Sequence, residues 1–386
     1  MRIAILAHTS RVAGGLSVGL NLLSALARQG PEHEYLITYP PGVGYEEVCA
    51  GFRACRAAPV APRGGQAGLW WYETFRLPKI VRVFRPDVLL SLTCRGLTAP
   101  PCSQAILGDD SHLFYPQSHF QHETFGNKLK KQYHKRLLGK YLRRTDLLLC
   151  QTATAERRLR ETYSFRGRTA ICLNAVSVFS LTEQPSVALP TAVTGLGDKM
   201  RLLYVTKFYG HKNFEGILDL FDRYRTELKD VAIILTVAPD QHPHAPRFLR
   251  AVRRRGLADR IIIVGPLPQS ALGGYYHHCQ ALFMPTFLES FSATYLEAMH
   301  FGLPILTSDL DFAHEICGAA ALYFDPWRAE SMRDAILRLK GDAALAADLA
   351  AKGRLQLGNV THSWDDVARK LIQDLASVVA DKRQVG

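Results

Sequence analysis

The chain has 386 residues, a formal net charge of +12, 47% apolar and 21% charged residues, a balance that suits two folded domains and excludes a disordered chain. No apolar run reaches the ~18–20 residues of a membrane span, residues 1–6 are too short for a signal peptide, and the eight cysteines include no Cys-x-x-Cys pair. These features argue against a membrane-spanning, disulfide-stapled or zinc-ribbon protein and fit a reducing cytoplasm.

The charge is uneven. Residues 1–190 hold 24 Lys/Arg against 13 Asp/Glu, and the remainder 23 against 22. An anionic partner therefore belongs to the first half: a membrane face or a polyanionic acceptor, ahead of nucleic acid. Residues 3–6 read as a first strand, followed by a loop ending in Gly14 and Gly15 and a helix over 16–28. This is how a doubly wound α/β domain begins, and the two glycines would let backbone approach a ligand, or simply make a tight turn. Residues 35–39 are a second strand, 40–68 read as loop, and 87–92 and 104–107 are buried strands.

Just beyond the last of these stand Asp109 and His112. Open α/β sheets place chemistry at the carboxyl ends of strands; a loop histidine beside capping aspartates is the competing reading. Residues 123–144 predict a basic helix with eight Lys/Arg, one acid (Glu123) and a stripe of Leu129, Tyr133, Leu137 and Tyr141. Such a helix could lie on anionic lipid, or pack its stripe on its own domain. Residues 146–150 and 169–173 read as strands and 183–198, with Pro185, Pro190, Gly195 and Gly197, as a linker.

In the second half, a strand over 201–205 leads to Lys207 and Lys212, two cations five residues apart before a helix, suited to clamping a diphosphate. Strands follow at 231–237, 261–264 and 281–284. His242 and His244 read as loop residues; a metal pair would need a further ligand. After 281–284 comes a turn with Glu289, then a helix with Glu297 about two turns along. Ser290, Phe291 and Ser292 lie where that helix begins. Free N–H groups at a helix start receive an anion such as a diphosphate, and the two carboxylates suit hydroxyls of a ribose or a sugar ring. The competing reading makes Glu289 a helix-start residue and Glu297 part of a solvated face. The tail, 364–381, is amphipathic.

The run E-S-F-S-x(4)-E-A-M-x(2)-G-L-P-I, from Glu289 to Ile305, resembles the E-x7-E signature of retaining glycosyltransferases of the family-4 type. The resemblance is strong over 199–327 and poor over 40–100. It implies the GT-B fold, α/β with two Rossmann-like doubly wound domains facing a central cleft. Residues 1–182 would bind the acceptor, 199–360 the nucleotide sugar, and 361–386 would form a helix crossing back to the first domain. In that family the glycine loop faces the nucleotide, and a Gly-Arg followed by Lys-Gly holds the diphosphate. Here Lys207 stands at the Arg position and Lys212 at the Lys position. Gly108 falls where the family often has a histidine, with His112 four residues on. The implied function is transfer of a hexose from a nucleoside-diphosphate sugar, with retention, to a glycan, lipid-linked or small-molecule acceptor. Glu289 would hold sugar hydroxyls, Glu297 the ribose, and Lys207, Lys212 and helix N–H groups the leaving diphosphate, with Asp109 or His112 beside the transferred sugar. No metal or cofactor is expected beyond the donor, and the protein is expected to be cytoplasmic, peripheral at the inner face of the membrane. The alternatives are a catalytically silent GT-B scaffold that binds a glycan or protein, and a Rossmann-type oxidoreductase, for which the dinucleotide fingerprint is absent.

Overall fold

The computed structural model describes residues 1–11, 13–116, 119, 125–172, 174–175, 189–360 and 363–385. It divides into two compact units, Met1–Tyr115 with Thr124–Ala175 and His362–Gly386, and Pro116–Glu123 with Val176–Thr361.

The first unit is a seven-stranded, all-parallel sheet. Its strands are β1 (Arg2–Leu6), β2 (Glu34–Tyr39), β3 (Cys55–Pro59), β4 (Val88–Ser91), β5 (Ser103–Gly108), β6 (Leu147–Cys150) and β7 (Arg168–Ile171). The order is β3-β2-β1-β4-β5-β6-β7, so the direction of strand addition reverses between β1 and β4. The central strands are continuous apolar runs buried along their length, as expected where helices cover both faces. One covering layer pairs α1 (Ala13–Gln29) with α15 (Trp364–Val385). Leu371, Leu375, Val378 and Val379 of α15 join Leu22, Leu23 and Leu26 of α1 in one core, and Arg28 pairs with Asp365 at 2.7 Å.

The region 40–68, expected as loop, contains α2 (Tyr45–Ala50), the edge strand β3 and the start of α3 (Gly65–Trp71). β3 is mostly exposed, with the sequence Cys-Arg-Ala-Ala-Pro, and owes its conformation to its ladder with β2. Such a strand carries no apolar alternation for a sequence reading to find. From α3 the chain passes through a π-helical turn (Tyr72–Arg76) into α4 (Leu77–Phe84). The basic helix is α5 (Phe125–Leu142); Glu123 lies outside the described residues. Only the later half of its predicted stripe is packed, with Leu137 half-buried and Tyr141 buried. Leu129 and Tyr133 are exposed, while Leu138, Tyr141 and Leu142 are buried.

The second unit is a six-stranded parallel sheet in the order β10-β9-β8-β11-β12-β13. These strands are β8 (Met200–Tyr204), β9 (Val231–Leu235), β10 (Ile261–Ile263), β11 (Ala281–Met284), β12 (Ile305–Ser308) and β13 (Ala321–Phe324). Its switch point lies between β8 and β11. The first part of the predicted linker, 183–188, lies outside the described residues; a short helix, Thr191–Thr194, occupies its later part.

Candidate active site

Doubly wound sheets bind ligands outside strand carboxyl ends at the point where strand order reverses. In the second unit the loops leaving β8 and β11 flank that point and are tied together. The Phe287 N–H and the Thr286 hydroxyl both donate to the His211 carbonyl, at 2.9 and 3.2 Å. Ser308 Oγ donates to the Thr286 carbonyl at 2.7 Å. Asn213 takes a left-handed φ of 58°, which an asparagine tolerates better than most residues. Its side chain caps α8 (Phe214–Arg223) by accepting from Gly216 N–H at 3.1 Å and donates to the Pro326 carbonyl at 2.7 Å.

This bracing holds the Lys212 ammonium in an ion pair with Glu289 Oε1, each side chain only 12% exposed. Ions so far out of water are held only by close pairing. The structure thus joins two candidates that lie 77 positions apart. Lys207 is exposed and makes no ion pair among the described residues. Its loop is fixed by Phe208, which stacks on Phe214 at 4.2 Å and donates its N–H to Gln241 Oε1 at 2.9 Å.

Glu289 sits in the turn, and α11 spans Ala293–His300. Ser290 and Phe291 are half-buried. Ser292 is buried at the N-cap, where its side chain makes no capping bond. Glu297 is the fifth residue of α11, nearer its start than expected, because the helix begins only after Ser292. Its Oε2 accepts a hydrogen bond from the Tyr276 hydroxyl at 2.6 Å. Burial pushes the Glu297 carboxyl above its usual range, and the Tyr276 bond offsets this only in part. Tyr276, on α10 (Gln269–His278), stacks on Phe301 with ring centres 5.0 Å apart. No local pattern in the sequence links Tyr276 to a carboxylate 21 residues on.

Asp309 and Asp311 form an Asp-x-Asp spacing that sequence reading passed over. Asp309 pairs with His314 Nε2 at 2.6 Å and Asp311 opens the helix Asp311–Cys317. His242 and His244 bond each other locally, and the His242 ring lies over Phe208.

In the first unit the corresponding loops follow β1, β4 and β5. The helix α1 begins at Ala13, so Gly14 and Gly15 form part of its first turn rather than a preceding loop. Gly14 is open to solvent. A Cβ placed on Gly15 would lie 3.9 Å from Asp109 Oδ2, which makes these two candidates neighbours. Burial, then the adjacent Asp110, pushes the Asp109 carboxyl up to about 7, even though Cys94 N–H donates to it at 3.1 Å. Asp110 behaves differently. Burial raises it, but its bonds from His112 outweigh that and hold it below its usual range. It caps the 3-10 turn Ser111–Leu113, accepting from both the His112 N–H and Nδ1 at 3.1 Å. The capping reading therefore describes Asp110. His112 remains part-exposed beside it. A Cβ on Gly108 would meet Leu159 Cδ1 at 2.5 Å, so position 108 faces the packing of α6 (Ala153–Tyr163). The departure from the family's histidine there is a packing choice.

A second polar cluster in this unit went unread. Glu73, on the π-helical turn, accepts two bonds from Arg95 Nη1 at 2.8 and 2.7 Å, and His8 Nε2 lies 3.2 Å from its Oε1. Burial raises the Glu73 carboxyl, but His8 and Arg95 prevail and keep it low. Its one signal in sequence is that it is the sole acid between Glu47 and Asp87.

Two doubly wound parallel sheets, each with polar side chains gathered at its switch point, define the GT-B class. Solved structures agree on the fold. Sucrose-phosphate synthase from Thermosynechococcus elongatus superposes with a TM-score of 0.76 at 17% identity, covering 99% of this chain and 100% of that one. HepE of Anabaena, solved with UDP-glucose, gives 0.73 at 14% identity, covering 98% and 100%. The family model "Glycosyltransferase Family 4" matches residues 13–178, and "Glycosyl transferases group 1" matches residues 192–356. The chain belongs to the glycosyltransferase family that these paired domains describe. Among curated relatives, the serotype-specific mannosyltransferase WbdA of Escherichia coli is 25% identical over 200 residues, 50% of this chain and 24% of its own. The match thus spans about a quarter of that relative's length.

Proposed function

We propose that the protein transfers a hexose from a nucleoside-diphosphate sugar, held by the second unit, to a glycan, lipid-linked or small-molecule acceptor held by the basic first unit, with retention of anomeric configuration. The observation that carries this reading is the braced Lys212–Glu289 pair at the switch point of the second sheet, followed along α11 by the Tyr276-bound Glu297.

The chemistry follows from charge. As the bond between the anomeric carbon and the diphosphate oxygen breaks, positive charge develops on the sugar ring and negative charge on the diphosphate. Lys212, Lys207 and the first N–H groups of α11 stabilise the leaving group as that charge appears. Glu289 accepts hydrogen bonds from sugar hydroxyls and, in the absence of donor, neutralises Lys212. Glu297 accepts from the ribose hydroxyls. The acceptor oxygen attacks the face the diphosphate leaves, its proton passes to a diphosphate oxygen, and the new glycosidic bond keeps the original configuration. Asp109, with a carboxyl poised near neutrality, and His112 serve the transferred sugar. Because protein cations and N–H groups carry the leaving-group charge, turnover needs no divalent metal. UDP-glucose is the ligand in HepE, and the curated relative is named a mannosyltransferase; both support a hexose donor. Among the described residues no helix is long and apolar enough to cross a membrane; the location we propose is cytoplasmic and peripheral at the inner membrane face, supported by the acid-free, basic α5.

The test is a thermal-shift series with UDP, GDP, ADP and TDP, followed by incubation with the matching sugar nucleotides in EDTA. One nucleotide should raise the melting temperature by mass action, and its sugar donor should be consumed, water taking the hexose in place of the acceptor, to release a sugar whose anomeric configuration is at first unchanged. Stabilisation without consumption would instead mark a silent scaffold.

A further inference from the structure

A cavity of about 910 Å³ opens in the first unit between the α3–α4 stretch and α5, a size typical of small-ligand sites. Its mouth carries aromatic rings on both walls. Trp70 and Phe75 stand on one, edge to face at 6.0 Å, and Tyr133 on the other. These rings are 51%, 48% and 48% exposed. Leu129 and Val83 do not line the cavity, but they lie on α5 and α4, the helices that supply part of its lining, and are 57% and 70% exposed. Large apolar groups gathered in the open mark a binding surface rather than ordinary scatter. They are not a core stripe in need of its own domain, since α5 already buries Leu138, Tyr141 and Leu142.

Cations surround the same mouth. Lys79, Arg82, Lys130 and Lys140 line it, all exposed, and none is in an ion pair among the described residues. From Phe125 to Leu142, α5 contains no acid. The single acid in the cavity, Glu73, is already neutralised by Arg95 at its floor. His134 on the wall is pushed down by burial and then by Arg95 and Lys130, which favours its neutral form, so the cavity's positive charge comes from its lysines and arginines. The cavity thus combines a cationic rim, an aromatic mouth and an aliphatic margin.

We propose that this cavity binds a phosphate-bearing lipid drawn from a bilayer, with its phosphate among Lys79, Lys130 and Lys140 and its hydrocarbon against Trp70, Phe75 and Tyr133. Tryptophan and tyrosine favour the boundary between apolar and wet surroundings, and lysines beside it draw anionic headgroups. A soluble sugar phosphate would use the cations and could stack on the rings, but would leave Leu129 and Val83 uncovered. Under the function proposed above, this lipid is the acceptor's carrier.

The experiment uses the full chain with vesicles of phosphatidylcholine, alone or mixed with phosphatidylglycerol, read by co-sedimentation and tryptophan emission. Wild type should bind only the mixed vesicles, with a blue shift that is lost in Trp70→Phe. Lys130→Ala/Lys140→Ala should weaken binding by roughly 25-fold, about fivefold per lysine. Trp70→Ala/Tyr133→Ala should weaken it by about tenfold through lost apolar contact. Arg253→Ala/Arg254→Ala, which removes equal charge from the other unit, should change it little. Binding that ignores the aromatic variant, or falls equally in the Arg253/Arg254 control, would reduce the effect to general charge attraction and overturn the proposal, as would failure to bind mixed vesicles. Donor consumption in the absence of acceptor separates the two readings. A protein that hydrolyses sugar nucleotides but ignores vesicles refutes the lipid site alone. One that binds vesicles through these residues yet consumes no donor keeps the lipid site and refutes the transferase reading.

Discussion

The two sheets place polar side chains at the same topological position but hold them differently. In the second, the loop after β11 donates twice, from Thr286 and Phe287, to the His211 carbonyl of the loop after β8, and the charged groups Lys212 and Glu289 neutralise each other beneath the surface. In the first, the loops after β1 and β4 meet through side chains, Thr9 Oγ1 to Thr93 Oγ1 at 3.2 Å, and the charged groups lie around an open cavity. The contrast suits two tasks. A diphosphate and a ribose are chemically constant, so the groups that meet them are best fixed in advance. Under the function proposed, the acceptor would instead meet exposed side chains, which tolerate change.

The largest expected effect tests the fixed side. Lys212→Ala should lower kcat/KM by about 2–4 kcal/mol in barrier terms, comparable to loss of a preorganised electrostatic donor. Steady-state kinetics on a sample with an unchanged circular dichroism spectrum would measure it. Turnover within a few-fold of wild type would dissolve the contrast, because the pair would then be a structural strut.

Asp109 tests the open side. Its carboxyl is raised to about 7 in the folded chain, against ~4 when unfolded, so the folded state binds the proton more tightly. The stabilisation is fully present below the unfolded value and is lost as pH climbs through about 7. Asp109→Asn should therefore gain stability relative to wild type above neutrality, by ~1–2 kcal/mol once partial exposure is allowed for. Melting temperatures of both proteins should diverge further at pH 8 than at pH 5; parallel curves would mean that the carboxyl is not strained.

Tyr276→Phe removes the single hydroxyl bonded to Glu297 and should raise KM for the donor by ~1 kcal/mol, the value of one hydrogen bond to a charged or polar partner, with kcat nearly unchanged. A fall confined to kcat would move Glu297 from ribose binding to the reacting end. The smallest effect belongs to Lys207→Ala. An exposed, unpaired lysine is screened by water, so the loss should stay near 0.5–1 kcal/mol and shrink with added salt; a salt-independent loss would show that the donor buries it.

The second site was legible because its chemistry is compressed into two short stretches. Glu289 through Glu297 and Lys207 through Lys212 each follow a buried strand whose apolar run is plain in the sequence. The pairing of Lys212 with Glu289 was not, since nothing local joins the two loops. In the first unit the strands β1, β4 and β5 were equally plain, but His8, Glu73 and Arg95 meet only through the tertiary fold. The α5 stripe misled for a related reason. Leu129 and Tyr133 keep helical spacing with Leu137 and Tyr141, yet only the later turns of the helix are covered by neighbours. Periodicity shows which residues share a face without showing how far along the helix that face is buried.

The pairing of α1 with α15 bears on synthesis. The last helix supplies Leu371, Leu375 and Val378 to a core begun by residues in the first thirty, so a ribosome emits every strand of the second sheet before the first sheet receives its final packing layer. The second unit can fold while still tethered; the first must wait for the residues of α15 before its core is fully covered.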